Sequence, residues 1–330
     1  MNHRVVCFGL TIFPWGSLQG QTHPLVDHHQ HLFSPAVVEL AARPATAPAP
    51  GAPSPRRLAS TSASDLVTQL DSAGARRGLV LSVAYMYGNP NRPAVENEYE
   101  KVKAENDWTA QQVALYPDRL RAFCSFNPLK AYALEELARC ANDPRLHAGL
   151  KLHFGNSDVD LDNPQHVEQL RRIFRAANER GMPIVVHMRS SVTRRRPWGR
   201  EEALIFLDSV LPSAPDVPVQ IAHLAGAGSY DDATDQAAAA FGEAIANHDP
   251  RTSRVYFDVS GMIGSSIPAD QADRIAHRIR QIGVDRILYG TDAASNDPLA
   301  IRRGWAAFRQ LPLSDAEFEA IAGNVAPYMK

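Results

Sequence analysis

A chain of 330 residues that is 45% hydrophobic and 21% charged holds ample apolar material for a buried core, which excludes a disordered or collagen-like chain. Its 34 Lys and Arg against 36 Asp and Glu leave a formal net charge of −2. That balance offers no broad basic surface to nucleic acid or an anionic membrane, so a small-molecule substrate is the expected partner.

In chain order, Arg4 precedes an apolar run from Val5 to Trp15. Residues 1–20 read either as a signal peptide, with Gly20 as a small residue before cleavage, or as an N-terminal extension, because Pro14 breaks the run and no A-x-A site follows. Location follows the same fork, periplasmic or secreted if cleaved and cytoplasmic otherwise. Membrane insertion is not expected, since a span takes about 20 apolar residues.

From residue 21 onward, short β-branched runs alternate with longer amphipathic segments, as in repeated βα units. The strand candidates are Pro24 to His29, Arg77 to Ala84, Leu120 to Phe126, Gly149 to Phe154, Pro183 to His187, Val219 to His223, Val255 to Ser260 and Arg286 to Thr291. Between the fourth and fifth, Val167, Leu170, Ile173, Phe174 and Ala177 recur at helical spacing, with Asn163 as N-cap, Pro164 at the first helical position and Gly181 beyond the end. Similar helices are expected at 64–74, 98–116, 134–141, 201–211, 233–246, 270–282, 298–310 and 314–321. Residues 43–60, rich in Pro, Ala and Ser, fall in the first βα loop and read as a flap over the active-site face or a bland surface insertion. Cys7, Cys124 and Cys140 show no CxxC spacing, imply no disulfide framework, and Cys124 reads as core.

Eight units predict a single-domain α/β protein, a (β/α)8 TIM barrel over residues 21–330. An open doubly wound sheet shares the alternation. The polar residues favour the barrel, whose C-terminal face gathers the ends of several strands. Alternation places Asp27, His29 and His31 on one face of the first strand, with His28 and Gln30 on the other. The fifth, sixth and eighth runs likewise end in His187, His223 and Asp292.

With these residues in place, the chain from about Pro24 onward resembles the amidohydrolase superfamily, and within it the amidohydrolase-related group that includes aminocarboxymuconate semialdehyde decarboxylase. The resemblance rests on Asp27-x-His29-x-His31, the histidines ending strands five and six, and Gly290-Thr291-Asp292. Weaker echoes are Gln69 to Gly74, Asn106-Asp107 with Tyr116 to Arg119, and Gly323-Asn324.

The resemblance implies that His29, His31, His187 and Asp292 hold a divalent metal, zinc first and one ion favoured, with manganese or a second ion as alternatives. It also implies that Asp292 takes a proton and that His223 stands at the substrate oxygen or leaving group. The leading expectation is hydrolysis of a small, carboxylate-bearing ester, lactone or amide by metal-bound hydroxide. Non-oxidative decarboxylation of an aromatic or unsaturated acid is the alternative; a barrel that only binds is disfavoured because every ligand position holds a competent residue.

Lys151 and His153 share one face of the fourth strand, are expected to point inward, and are both candidate substrate-binding residues. Lys151 reads as a contact to substrate carboxylate, then as an ion-pair partner of Asp27 or Asp292, and last as a carboxylated bridge between two metals. Arg189, two residues after His187, is expected to pair with a substrate carboxylate, whereas Arg194 to Arg196 read as solvated surface. Tyr85, Tyr87 and Asn127 are substrate contacts by position alone. A homodimer remains open.

Overall fold

The computed structural model describes residues 22–42, 58–228, 230–263, 267–293 and 295–330. The readings for residues 1–20, and for all but the last three residues of the 43–60 segment, lie outside them. Eight parallel strands follow in sequential order: β1 (Val26–Gln30), β2 (Arg77–Leu81), β3 (Leu120–Ser125), β4 (Leu150–His153), β5 (Ile184–His187), β6 (Val219–Ile221), β7 (Val255–Asp258) and β8 (Ile287–Leu288). Helices cover the outside, so strands such as β5 are buried on both faces and read as unbroken apolar runs. This is the (β/α)8 barrel in one domain. Among the described residues, no helix is long and apolar enough to cross a membrane.

The helices form where their spacing predicts. The Asn163 side chain accepts from Gln165 N, Pro164 opens the helix Pro164–Glu179, and Leu170, Ile173, Phe174 and Ala177 are buried. One departs: the helix expected at 201–211 is α-helical over Arg200–Ile205, passes into a π turn at Phe206–Val210, and ends in a 3-10 turn at Leu211–Ser213. Pro212 has no N–H to continue an α-helical ladder, so the segment tightens and stops.

Several strands end before their predicted limits, and after two of them the backbone turns left-handed. β6 stops at Ile221 because His223, Leu224 and Ala225 all have positive φ, and Asp292 also has a φ of 51°. Such left-handed residues cannot continue a strand, and they turn two predicted site residues out of the ladder.

The outer edges of the ladder, β1 and β8, meet through His28 N donating to Tyr289 O (2.9 Å) and Asp292 N donating to His29 O (2.8 Å). Thr291 adds two bonds to Asp27, from its backbone N (3.1 Å) and its hydroxyl (2.6 Å). Gly290 permits this approach: a Cβ there would stand 2.8 Å from His29 Cβ.

Inside the barrel, Val26, Leu79, Leu81, Phe123, Val185 and Leu288 pack against Ala326, Tyr328 and Met329. The tail is pinned at the strand starts by Arg77 Nη1 on Met329 O (2.6 Å). This plug gives the interior a solid floor beneath the cavity at the C-terminal ends.

One expectation is corrected. Cys124 and Cys140 form a disulfide with a Cα separation of 6.2 Å. Cys124 lies in β3 and Cys140 on the buried face of the helix Ala133–Asn142 that packs back over it. Residues 16 apart meet through tertiary packing, which motif spacing does not report.

Candidate active site

The first strand does not keep its alternation. Its register against β2 shifts between Asp27 and Gln30. Asp27 therefore leaves the face predicted for it and accepts from Gln30 Nε2 (2.8 Å) and Thr291 at the β8 seam, while burial raises its carboxyl to about 6. His28 is structural: Nδ1 donates to Tyr289 O (2.9 Å) and Nε2 accepts from Ala326 N (3.2 Å).

His29 and His31 instead face a cavity of about 270 Å³ at the C-terminal ends of the strands. Its polar lining is His29, His31, Lys151, His153, His187, His223 and Asp292; Phe33, Val83, Tyr85 and Ala227 supply the rest. The C-terminal face therefore collects all five residues expected at the metal centre.

The hydrogen bonds assign tautomers. His29 Nδ1 donates to Asp258 Oδ2 (2.9 Å), His31 Nδ1 to Leu81 O (2.6 Å) and His223 Nδ1 to Ser260 O (2.7 Å). Each ring then carries its proton on Nδ1 and keeps the Nε2 lone pair, the form in which imidazole binds a metal. Ligand atoms of His29, His31 and Asp292 lie within 4.8 Å of one another, as do those of His29, His223 and Asp258. His187 belongs to neither group; its ring centre stands 4.9 Å from that of His223. His31 Nε2 and Asp292 Oδ1 are 3.5 Å apart.

Asp258 at the end of β7 is absent from the sequence-based expectation, although Val255 to Asp258 is another apolar run ending in a ligand-type residue. It accepts from His29, Gln220 Nε2 (2.6 Å), His223 N (3.0 Å), and Ser260 N and Oγ. Burial alone would raise this carboxyl, but the His29 ring and these donors outweigh it and hold it well below the usual range. Lys151 is buried, which lowers it to about 8, and Nζ lies 3.3 Å from His29 Nε2. Neither Asp27 nor Asp292 is within ion-pair distance of it, so the structure does not form the predicted ion pair.

Burial lowers His28 to about 4 and His29 and His31 each to about 3, with Lys151 adding to the last two. His153 and His187 are pushed well below the ordinary imidazole value for the same first reason. Above about 6.5 these rings are neutral folded or unfolded and contribute nothing to pH dependence. Below it the unfolded chain takes up protons that the folded chain refuses, so stability falls as pH drops from about 6.5 toward 3. Metal-stripped protein should show a urea midpoint that declines steadily between pH 7 and 4. A flat midpoint would mean that the imidazoles are solvated.

Other predicted contacts lie elsewhere. Arg189 donates to Asp231 (2.6 Å) and Thr234 (3.0 Å) and does not line the cavity. Asn127 donates to Gly88 O (2.7 Å) and accepts from Leu129 N (2.9 Å), holding a turn. Tyr87 lines a separate cavity beside Trp108. Arg194 and Arg196 are part-exposed, as expected, but both bind Asp158, and Arg196 also binds Asp160, tying the loop after β5 to the loop after β4.

Residues 26–326 match the family model described as Amidohydrolase. The chain belongs to this amidohydrolase family. No curated protein matches the amidohydrolase. Among solved structures it is similar to a 5-carboxyvanillate decarboxylase from Sphingomonas paucimobilis, with 17% identity, 91% of this chain and 96% of that one covered, and a TM-score of 0.61. A dihydroxybenzoic acid decarboxylase from Polaromonas with bound manganese and the inhibitor 2-nitroresorcinol has 17% identity, coverage of 91% and 94%, and a TM-score of 0.58. A probable 2-pyrone-4,6-dicarboxylic acid hydrolase from Acinetobacter baumannii has 15% identity, coverage of 90% and 95%, and a TM-score of 0.56. At these identities the likenesses establish the amidohydrolase's barrel and not its reaction.

Proposed function

We propose that this amidohydrolase uses a divalent metal to decarboxylate a small cyclic carboxylic acid. The observation that carries the reading is that His29 and His31, each with its proton fixed on Nδ1, bring ligand atoms within 4.8 Å of Asp292 in a small cavity. This donor set of neutral imidazoles and one carboxylate fits zinc or manganese, and manganese is the ion in the Polaromonas decarboxylase. His29, His31, His187 and Asp292 would hold it. When bound, a divalent ion supplies Lewis acidity toward a substrate oxygen.

The side chains account for the rest. Lys151 presents its Nζ to the substrate carboxylate, and Phe33, Val83 and Ala227 exclude water from it. Asp292 is 31% exposed, so it can exchange protons with solvent. As the bond between ring carbon and carboxylate breaks, the electron pair stays on the ring carbon, Asp292 donates a proton there, and carbon dioxide leaves. Hydrolysis, first in the sequence-based expectation, is the second reading. The exposure of Asp292 also favours it, since the carboxylate can take a proton from attacking water while His223 protonates the leaving oxygen. A panel of aromatic and unsaturated acids, lactones and esters should separate the two. The expected result is carbon dioxide release from an acid; acid formation from a lactone without carbon dioxide would establish hydrolysis.

Lys151→Met tests the carboxylate contact. The ion has its own ligands, so metal content should stay near wild type while KM for a carboxylate substrate rises about tenfold or more, the usual worth of a charge-assisted bond. Loss of half the metal would instead support the binuclear bridge.

A further inference from the structure

One histidine in the cavity has the opposite tautomer. His153 is the N-cap of the four-residue helix Phe154–Ser157, and its Nδ1 accepts from Asn156 N at 3.1 Å. A nitrogen that accepts a backbone N–H carries no proton, so the neutral ring is protonated on Nε2. That N–H has no partner among the described residues. His153 lines the cavity, stacked on His187 with ring centres 3.8 Å apart and an interplanar angle of 18°.

The surrounding turn fixes this orientation. A side chain at Gly155 would meet Arg189 O at 3.1 Å and His153 Cε1 at 3.4 Å, so the chain closes tightly behind the ring. The Tyr85 ring centre lies 4.8 Å from that of His153. Asn156 sets the ring that donates, through its backbone N–H. As an Nε2 donor His153 has no lone pair to offer a metal, which separates it from His29 and His31.

We propose that His153 is a specificity-determining residue whose fixed Nε2–H selects a cyclic acid carrying an oxygen acceptor close to its carboxylate. The proposal rests on the carboxylate reading of the site given above. Lys151 and His153 leave the same face of β4 two residues apart, about 6.6 Å along a strand, so carboxylate and acceptor would sit on one ring. A cavity of about 270 Å³ suits a single ring.

Two half-isosteres separate capping from recognition. His153→Asn keeps an acceptor at the Nδ1 position and loses the donor; His153→Gln keeps a donor near Nε2 and loses the cap. Calorimetric binding of 2-hydroxybenzoate and benzoate to metal-loaded protein gives the selectivity, and metal content is measured on the same samples. Wild type should prefer 2-hydroxybenzoate about fivefold or more, the usual worth of a neutral hydrogen bond. His153→Asn should bring the ratio near one at unchanged metal content, and His153→Gln should retain part of it. An unchanged ratio in His153→Asn, or no binding of 2-hydroxybenzoate to wild type, would overturn the proposal. Wild-type protein that binds no metal would overturn the metal reading instead.

Discussion

The double variant His29→Ala, His31→Ala is expected to lose nearly all bound metal and nearly all turnover while its circular dichroism stays that of the wild type. Two of the four predicted ligands vanish, and the remaining pair, His187 and Asp292, come from different strands. The loss of Lewis acidity, worth several kcal/mol, corresponds to a fall on the order of 10³-fold or more. The barrel should survive because its packing lies elsewhere, in the helix–strand layer and in the cluster around Phe123 and Tyr328. Asp258 loses one donor but keeps Gln220, His223 N and Ser260. A destabilisation of about 1–3 kcal/mol is therefore expected, well short of unfolding. Plasma mass spectrometry of the purified variant checks this, and metal content equal to wild type would refute the site.

Asp292→Asn should keep part of the metal and lose about 10²–10⁴ in turnover, because an amide oxygen still ligates weakly but cannot carry a proton near neutral pH. The pH profile adds a second readout. If Asp292 passes a proton in the reaction, as donor to a ring carbon or acceptor from water, wild-type turnover depends on pH. In either case the dependence belongs to the coupled carboxylate and metal site, and the Asn variant should flatten it. Near wild-type turnover across the pH range would make Asp292 a structural residue held at φ 51° for no catalytic reason.

Much of the barrel is legible in the sequence because each parallel strand buried on both faces is an apolar run, and the runs Ile184–His187 and Val219–Ile221 lead straight into His187 and His223. Simple alternation misplaces Asp27 because it cannot foresee the register shift beside β2. Arg189 sits two residues beyond His187, yet Asp231, 42 residues later, claims its guanidinium. The Cys124–Cys140 pair and the His153 cap are equally invisible to periodicity. One depends on how a helix folds back over its strand, the other on a single backbone N–H.

The seam between β1 and β8 has a consequence for assembly. Asp27 and Thr291 are 264 residues apart, and the bonds that join them also set His29 and Asp292 beside each other. Contacts of such sequence separation form late, after the intervening units have docked. A barrel still open at this edge holds the two histidines of β1 but not the carboxylate, so it would offer the proposed ion fewer ligands. Metal added to a refolding chain would then favour the closed ring by mass action, and its uptake would time the last joining step of the fold.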